Sequence, residues 1–323
     1  LSIKSESVYA QEGPTYAVPP PVLPPEPPSL LGGEGSPLIL DTTLIRPTDQ
    51  FSFDTLETYV SAIPSGRLPI VGTSQLNKAV GNAAMAPIGS ISGTLAIGNV
   101  LTQMTSGPVM CVNYDEIISL RLLQGDPAAY RSDTLLNMLA GSNRLLIGQP
   151  GRWEQVGYIN ASYDADTKLV TLTGLVRGWR GTEPYASMHA IGDLVVPIDF
   201  ASIIEISDVP SALSQPVTYA VSDSMLRLNY EDALTVLVSG LTRTPWAPYN
   251  VHAVASGGDV VLSWKRRTRL SGPLNNGSGI VPLDEASEAY TLVIYRAGTA
   301  VRTVELTAPT FTYTAAMQTA DGW

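Results

Sequence analysis

The chain is poor in charged residues, cysteine and histidine, and each shortage excludes a class of protein. Only 15% of its 323 residues are Asp, Glu, Lys or Arg, well below the usual share of about a quarter. The single cysteine, Cys111, excludes an intrachain disulfide and is interpreted as a small buried hydrophobic residue. The two histidines, His189 and His252, indicate no Cys–His nucleophilic pair, and we expect a structural role for each.

Motifs of catalysis, metal binding and phosphate binding are also missing. The sequence contains no HExxH, CxxC, GxSxG or GxxxxGK[ST] pattern, and no two carboxylates are grouped for glycoside hydrolysis. Asp164 and Asp166 resemble the start of a calcium loop, but its later ligands do not follow, so a turn is expected there. The sequence therefore predicts a protein that is not an enzyme and that uses no cofactor and no metal.

The charge that is present is mainly negative. The net charge is −10, and the whole acid excess lies before residue 246. Such a surface is unsuited to holding DNA, which needs clustered cations, and would suit a surface that DNA slides past. No uncharged apolar run reaches 18 residues, and the first residues lack the apolar core of a signal peptide. Because no Met begins it, the chain is expected to be a piece of a longer polypeptide.

Glycine and proline are abundant, with 28 and 25 residues, which favours short strands and turns over long helices. The predicted fold class is mainly β with several domains. Residues 1–36 read as an extended Pro/Gly-rich linker or arm, or as a ligand of a proline-recognition domain. Residues 37–245 read as a β-rich region, divisible into 37–114 and 115–245, and low charge in 68–110 is consistent with burial between subunits.

Local patterns predict individual elements within that region. Residues 37–47 read as a strand, whereas 53–63 fit a helix or a strand. A short helix in DTLLNMLAG has Ser132 and Asp133 as candidate caps and Gly141 as its stop, and RLLIG follows as a strand. Residues 153–178 are expected to form one hairpin around the turn DADT.

Residues 246–323 read as a separate domain. A proline at its entry, Trp264 on an early strand, and successive strands joined by AG and PT turns are typical of a fibronectin type III-like sandwich. Such a sandwich needs about seven strands. Because only about five can be counted, the domain is expected to be incomplete at its C-terminus.

The decapeptide GLVRGWRGTE (174–183) is the most concentrated motif, and it contains Arg177, Gly178, Trp179, Arg180, Gly181, Thr182 and Glu183. Its glycines permit positive φ or close backbone approach. Its arginines could form bidentate pairs with carboxylates such as Glu183, Glu154 or Asp193, with Trp179 covering them. A rigid structural corner is favoured, and a phosphate site is the alternative.

A second basic motif is KRRTR (265–269). Arg266, Arg267 and Arg269 could stack on the rings of Trp264 and Tyr290. Their expected counter-charges are Asp284, Glu285 and Glu288. A structural ladder of arginines and aromatic rings is favoured, and binding of nucleic acid or lipopolysaccharide is the alternative.

Three blocks resemble the large central tail-tip protein, the baseplate hub or "megatron", of siphophages and gene transfer agents of α-proteobacteria. The blocks are LAGSNRLLIGQPGRWEQVGYINAS, LTGLVRGWRGTEPYASMHAIGDLVVPID, and LSWKRRTRLSG with VPLDEASEAYTLVIY. The second is similar to the family's Leu-Leu-Arg-Gly-x-Arg-Gly-Thr-Glu run, and the third to its Trp-x-Arg-Arg-x-Arg and Pro-Leu-x-Glu-x-Ser-Glu-x-Tyr segments. Trp179 and Lys265 depart from the family's common residues at those positions.

The resemblance implies a virion protein at the distal tail tip. Such hubs are homotrimers that close the tail tube, hold other tail-tip, distal tail and fibre proteins, contact the host surface and let DNA pass without binding it specifically. An alternative is a carbohydrate-binding module of the tail tip that reads host glycans through Trp246, Tyr249 and Tyr295. A wall-degrading hydrolase is a third hypothesis, against which the lack of a catalytic motif counts.

Overall fold

The computed structural model describes residues 35–46, 52–64, 73–92, 95–222, 231–269 and 281–323. Residues 1–34 of the predicted arm lie outside the described residues, and Gly35 and Ser36 already belong to the first strand. Antiparallel strands account for most of the regular structure, which confirms the mainly β class. Two compact units are formed, one by Pro245–Trp323 and one by the described residues that precede it.

The strands of the larger unit are short, as the glycine and proline content predicts. In chain order they are β1 (Gly35–Leu40), β2 (Leu56–Pro64), β3 (Thr73–Val80), β4 (Ala86–Ser92), β5 (Gly98–Val100), β6 (Val112–Asn113), β7 (Ile118–Leu122), β8 (Arg144–Gly148), β9 (Glu154–Gly157), β10 (Asn160–Asp164), β11 (Leu169–Thr173), β12 (Leu175–Val176), β13 (Leu194–Pro197), β14 (Ile203–Asp208), β15 (Val217–Ser222) and β16 (Leu234–Val236). One α-helix, α1 (Leu135–Ala140), lies between β7 and β8.

These strands form three sheets among the described residues. Their orders are β1-β2-β14, β16-β15-β3-β4 and β10-β11-β7-β5-β13-β8-β9-β12-β6. The sheets combine strands from both sides of residue 114, because β2 pairs with β14 and β5 pairs with β7 and β13. The three-stranded sheet contributes to two cores, since Ile39 packs with residues of β3 and β15 whereas Leu38 and Leu40 pack with residues of β8 and β13. It is therefore the middle layer of this unit.

Strand β8 lies inside the nine-stranded sheet and is buried on both faces. Leu145 and Ile147 point into one core, and Leu146 points into the other. A strand covered on both faces reads as a continuous apolar run rather than an alternating one. This explains why the sequence RLLIG has no alternation and still forms a strand.

Several local predictions are confirmed and others are corrected. The ambiguous segment 53–63 forms strand β2, because its residues are buried from both sides between β1 and β14. The hairpin predicted over 153–178 is only half right. Strands β10 and β11 form it around Asp164, whose side chain accepts hydrogen bonds from the Asp166 amide and the Thr167 hydroxyl. Strand β9 pairs instead with β8, because that pairing buries all four of its residues.

Two further predictions in this unit are corrected. Helix α1 is capped by Thr134, whose hydroxyl accepts the Asn137 amide at 3.2 Å, and not by Ser132 or Asp133. The hydroxyl of Thr134 stands at the correct offset from the first free amides of the helix, and Gly141 ends the helix as predicted. Cys111 is exposed rather than buried, because it precedes β6, the edge strand of the nine-stranded sheet.

The smaller unit is built from two sheets that share one core. Its strands are β17 (Tyr249–Ser256), β18 (Asp259–Lys265), β19 (Tyr290–Arg296), β20 (Thr299–Leu306) and β21 (Thr310–Tyr313), followed by helix α2 (Ala315–Ala320). Strands β17-β18-β21 form one sheet and β19-β20 the other, with Trp264 and Ile294 buried in the core. The expected strand–turn–strand–turn–strand order is confirmed for β19, β20 and β21, whereas helix α2 is not predicted by the sequence. The finer fibronectin type III assignment stays a prediction.

Candidate functional site

The decapeptide 174–183 contains strand β12 and, after it, a tight corner that begins at Gly178. Gly178 has φ 67°, Arg180 has φ 53° and Gly181 has φ 88°, so three of four consecutive residues are left-handed. A β-carbon added to Gly178 would lie 2.7 Å from Cγ of Glu183, which is itself buried. The corner predicted from the glycines is therefore present, and at Gly178 it depends on both the positive φ and the missing β-carbon.

Arg177 is fully buried and uses its whole guanidinium. Its Nε and Nη2 donate to Glu154 at 2.9 and 2.8 Å, and its Nη1 donates to Glu116 at 3.1 Å. The remaining donors reach the carbonyl oxygens of Thr105 and Ala186 at 3.2 and 2.7 Å. Of the carboxylates expected for the arginines of the corner, Glu154 is found here, whereas Glu116 is not indicated by any sequence pattern.

Glu154 connects Arg177 to a buried histidine. Its carboxylate also accepts the Gly178 amide at 2.7 Å and lies 2.6 Å from Nε2 of His189. The other ring nitrogen of His189, Nδ1, lies 3.3 Å from Asp193, whose carboxylate accepts Nη1 of Arg152 at 2.6 Å. The two acids that the sequence places near the corner are thus joined through a histidine whose partners it does not reveal.

These side chains form one chain of contacts, which we call the ion network; its members are Glu116, Arg152, Glu154, Arg177, His189 and Asp193. The side chains of Arg177, Glu154 and Asp193 are fully buried, and Arg152 at the outer end is 25% exposed. The network ties strand β9, the corner and the segments around residues 116, 152 and 189–193 to one another.

The charge states of the network follow from its geometry. Both ring nitrogens of His189 face carboxylates, and a neutral imidazole has a proton on only one of them. Burial lowers the pKa of His189, but the hydrogen bonds to Asp193 and Glu154 outweigh it and raise the pKa above the ordinary value. The protonated histidine gives the network three cations and three anions, which balances charges that burial would otherwise penalise.

The acids respond in the opposite direction. Burial raises the pKa of Glu154, but the hydrogen bond from His189 and the charge of Arg177 lower it to below the ordinary value. The pKa of Asp193 is likewise lowered despite burial, by His189 and Arg152. Glu154 and Arg177 are shielded from solvent, and the network acts chemically as a cross-link between the segments that contribute to it.

Trp179 and Arg180 each make a contact that the sequence does not indicate. Trp179 does not cover Arg177; its ring lies under the guanidinium of Arg144, 4.2 Å from the ring centre. Arg180 donates from Nη1 to the carbonyl oxygen of Arg46 at 2.6 Å. Thr182 closes the corner, because its hydroxyl donates to the carbonyl of Trp179 at 2.7 Å and accepts the Gln155 amide at 2.9 Å.

The smaller unit contains the second basic motif, and its arginines meet the expected counter-charges. Arg266 pairs with Glu288 at 3.1 Å, and buried Arg269 pairs with both Asp284 and Glu285. Stacking differs from the prediction, however. Trp264 and Tyr290 contact each other edge to face at 5.3 Å.

The remaining arginine of that motif, Arg267, lies over the ring of Trp246, 5.0 Å from its centre. Trp246 is one of the aromatic residues proposed for glycan binding, and this contact covers part of the face that would stack on a sugar. Arg267 therefore has a local structural contact.

Two general findings concern the described residues. They contain no group of three or more His, Cys, Asp or Glu side chains that could hold a metal ion. Over the same part of the chain, no helix has both the length and the apolar character needed to span a membrane.

Comparison with known families gives one result. Residues 95–196, about a third of the chain, match a family described as Rcc01698-like, C-terminal, which is associated with gene transfer agents and phages. No curated protein matches the chain. The matched range contains every member of the ion network and the corner.

Proposed function

We propose that this chain is a structural component of the tail tip of a phage or phage-like particle, where it forms part of the baseplate hub. The match of residues 95–196 to the Rcc01698-like family is the observation that carries the proposal. The narrower hub assignment rests on the resemblance of three sequence blocks between about residue 135 and the last residue.

The ion network supports a role in holding geometry. It fixes a strand, a corner and three loop segments with charge-assisted hydrogen bonds that are shielded from solvent. Buried polar networks of this kind rigidify a fold when every member is satisfied. A protein that closes a tube and holds neighbouring subunits needs such rigidity.

The charge distribution supports the proposed passage of DNA. The acid excess before residue 246 disfavours retention of a polyanion by the larger unit. In the proposed assembly, three copies surround the tube axis, bind other tail-tip and fibre proteins, and rearrange at the host surface. A tail-tip structure in which the residues facing the conduit are mostly Lys and Arg would contradict this part of the proposal.

Cryo-electron microscopy of purified particles tests the assignment. We expect three copies of the chain at the distal tail tip, with residues 37–200 near the axis and 246–323 further out. A single copy on a fibre, or absence of the chain from purified particles, would exclude the hub function and return the glycan-binding alternative to first place.

A variant pair makes the same experiment sharper. Glu154→Gln removes a charge from the centre of the ion network, and Asp166→Asn removes one from an exposed turn. If the network holds the hub together, particles made with Glu154→Gln should lack tail tips or lose infectivity, while those made with Asp166→Asn should be normal. If particles made with the two variants have the same tail tips and the same infectivity, the ion network does not hold the hub together.

A further inference from the structure

Arg144 differs from the other deeply buried arginines of the chain. Arg177 and Arg269 each pair with carboxylates, but no described carboxylate pairs with Arg144. Only 8% of Arg144 is exposed, and its Nε and Nη1 have no hydrogen-bond partner among the described residues. A buried cation without a counter-charge is costly, and such groups are ordinarily paired.

The surroundings of Arg144 add positive charge and a further donor. Burial, and then the positive charge of Arg180, lower the pKa of Arg144 to about 10, so it remains a cation at neutral pH. The Trp179 ring lies against the guanidinium, and its buried indole Nε1 has no hydrogen-bond partner in the part of the chain that the structure describes. Several N–H donors therefore gather beside the charge of Arg144.

The fold explains why these groups meet. Arg144 and Gly157 are cross-strand partners in the β8–β9 ladder. A β-carbon on Gly157 would come within 2.9 Å of the Trp179 indole nitrogen, so the missing side chain leaves room for the ring beside Arg144. The corner that begins at Gly178 then holds Trp179 and Arg180 in place through its left-handed backbone.

We propose that Arg144, with Trp179 beside it, forms a binding site for a small oxyanion. A guanidinium offers a planar fork of donors that matches the oxygens of a phosphate or a carboxylate. The oxyanion comes either from free phosphate or from an Asp or Glu side chain of a second copy of this chain. Both sources present the same charged oxygens to Arg144.

Phosphate titration of the 323-residue chain tests the site. Thermal unfolding is measured in increasing potassium phosphate and in potassium chloride of equal ionic strength, and binding is measured by calorimetry. We expect saturable binding and a rise of about 3 °C in the unfolding midpoint when phosphate exceeds its Kd about tenfold. Arg144→Met should abolish both effects, whereas Arg121→Met, which removes an exposed cation from β7, should retain them.

The second source is tested by the oligomeric state. Light scattering over a range of concentrations should show self-association that Arg144→Met weakens and Arg121→Met does not, if a neighbouring copy supplies the carboxylate. Arg144→Lys keeps the charge without the fork and should bind phosphate more weakly, which covers the case in which Arg144→Met does not fold. The proposal is overturned if the unaltered chain neither binds phosphate saturably nor self-associates through Arg144, or if Arg144→Met binds as well as the unaltered chain.

Discussion

At the scale of single residues, Glu154 is the centre of the larger unit's electrostatics. It touches Arg177, His189 and the Gly178 amide, and it is completely buried. Removing one partner of a buried ion pair leaves an uncompensated charge, which is more damaging than replacing the whole group.

We expect Glu154→Gln to lower the free energy of unfolding by about 3–5 kcal/mol, because Arg177 and protonated His189 lose their shared anion. Urea unfolding followed by circular dichroism measures the change. The control is Asp166→Asn, in an exposed turn, with an expected change within about 0.5 kcal/mol. A loss at Glu154 no larger than that of the control would show that the network contributes little to stability.

His189 should make stability depend on pH in a defined direction. Because its folded pKa is raised above the unfolded value of about 6.5, its contribution is complete below that pH and is lost as the pH rises through the folded pKa. Glu154 and Asp193 have lowered folded pKa values, so their contributions are present above their unfolded values and are lost on acidification. The free energy of unfolding should therefore be greatest at a pH above the ordinary pKa of the two carboxyl groups, about 4, and below that of histidine, about 6.5.

The test is to measure the free energy of unfolding from about pH 6 to about pH 9 in the unaltered chain and in His189→Gln. The unaltered chain should lose stability toward alkaline pH, and His189→Gln should be less stable with a flatter profile. His252→Gln, on exposed strand β17, serves as the control and should keep the slope. An unchanged slope in His189→Gln would contradict the charged state assigned to this histidine.

At the scale of elements, the corner depends on space as well as on backbone conformation. Gly178 and Gly151 both have positive φ, 67° and 87°, but only Gly178 has neighbours where a β-carbon would stand. Gly178→Ala should lower the free energy of unfolding by about 1–2 kcal/mol because alanine disfavours a positive φ. The steric contact of its β-carbon with Glu183 should lower it by about 1–3 kcal/mol more. Gly151→Ala should lower the free energy of unfolding only by the contribution of the backbone conformation. Chemical unfolding of both variants checks this, and equal losses would mean that Glu183 moves away freely.

Some elements can be predicted from the sequence more reliably than others. The hairpin turn at Ala297 and Gly298, with φ 46° and 82°, is visible in the sequence because glycine adopts a positive φ readily and is common in turns. The sequence predicts the wrong partner for strand β9, because its alternating pattern fits pairing with the segment after the DADT turn as well as pairing with β8. Burial of all four residues beside β8 decides between them, and that information is not local.

At the scale of the whole molecule, each unit contains its own core. Leu146 is fully buried in a core of the larger unit, and Leu262 is 1% exposed in the core of the smaller one. Units with separate cores are expected to unfold as separate cooperative transitions.

Calorimetry should therefore resolve two transitions, each moved by its own variant. Leu146→Ala and Leu262→Ala should each lose about 2–5 kcal/mol in the transition of the unit that contains them, and leave the other transition in place. The two variants are controls for each other. A single transition lowered by both variants would mean that the two units unfold together.

The sequence alone determined the mainly β class, the glycine-dependent corner, the turns and the excess of acid before residue 246. These properties follow from local backbone preferences and from composition, which need no knowledge of distant contacts. It also indicated the block resemblance on which the proposed tail-tip role rests.

Only the tertiary structure decided which charges meet. Arg177 finds Glu116 and Glu154 at separations of 61 and 23 residues, and Arg152 finds Asp193 at a separation of 41. Any arginine can pair with any carboxylate in a sequence, so the partner is fixed by which strands lie side by side. That no described carboxylate pairs with Arg144 is likewise visible only in the fold, because it depends on which residues lie around Arg144 and not on Arg144 itself.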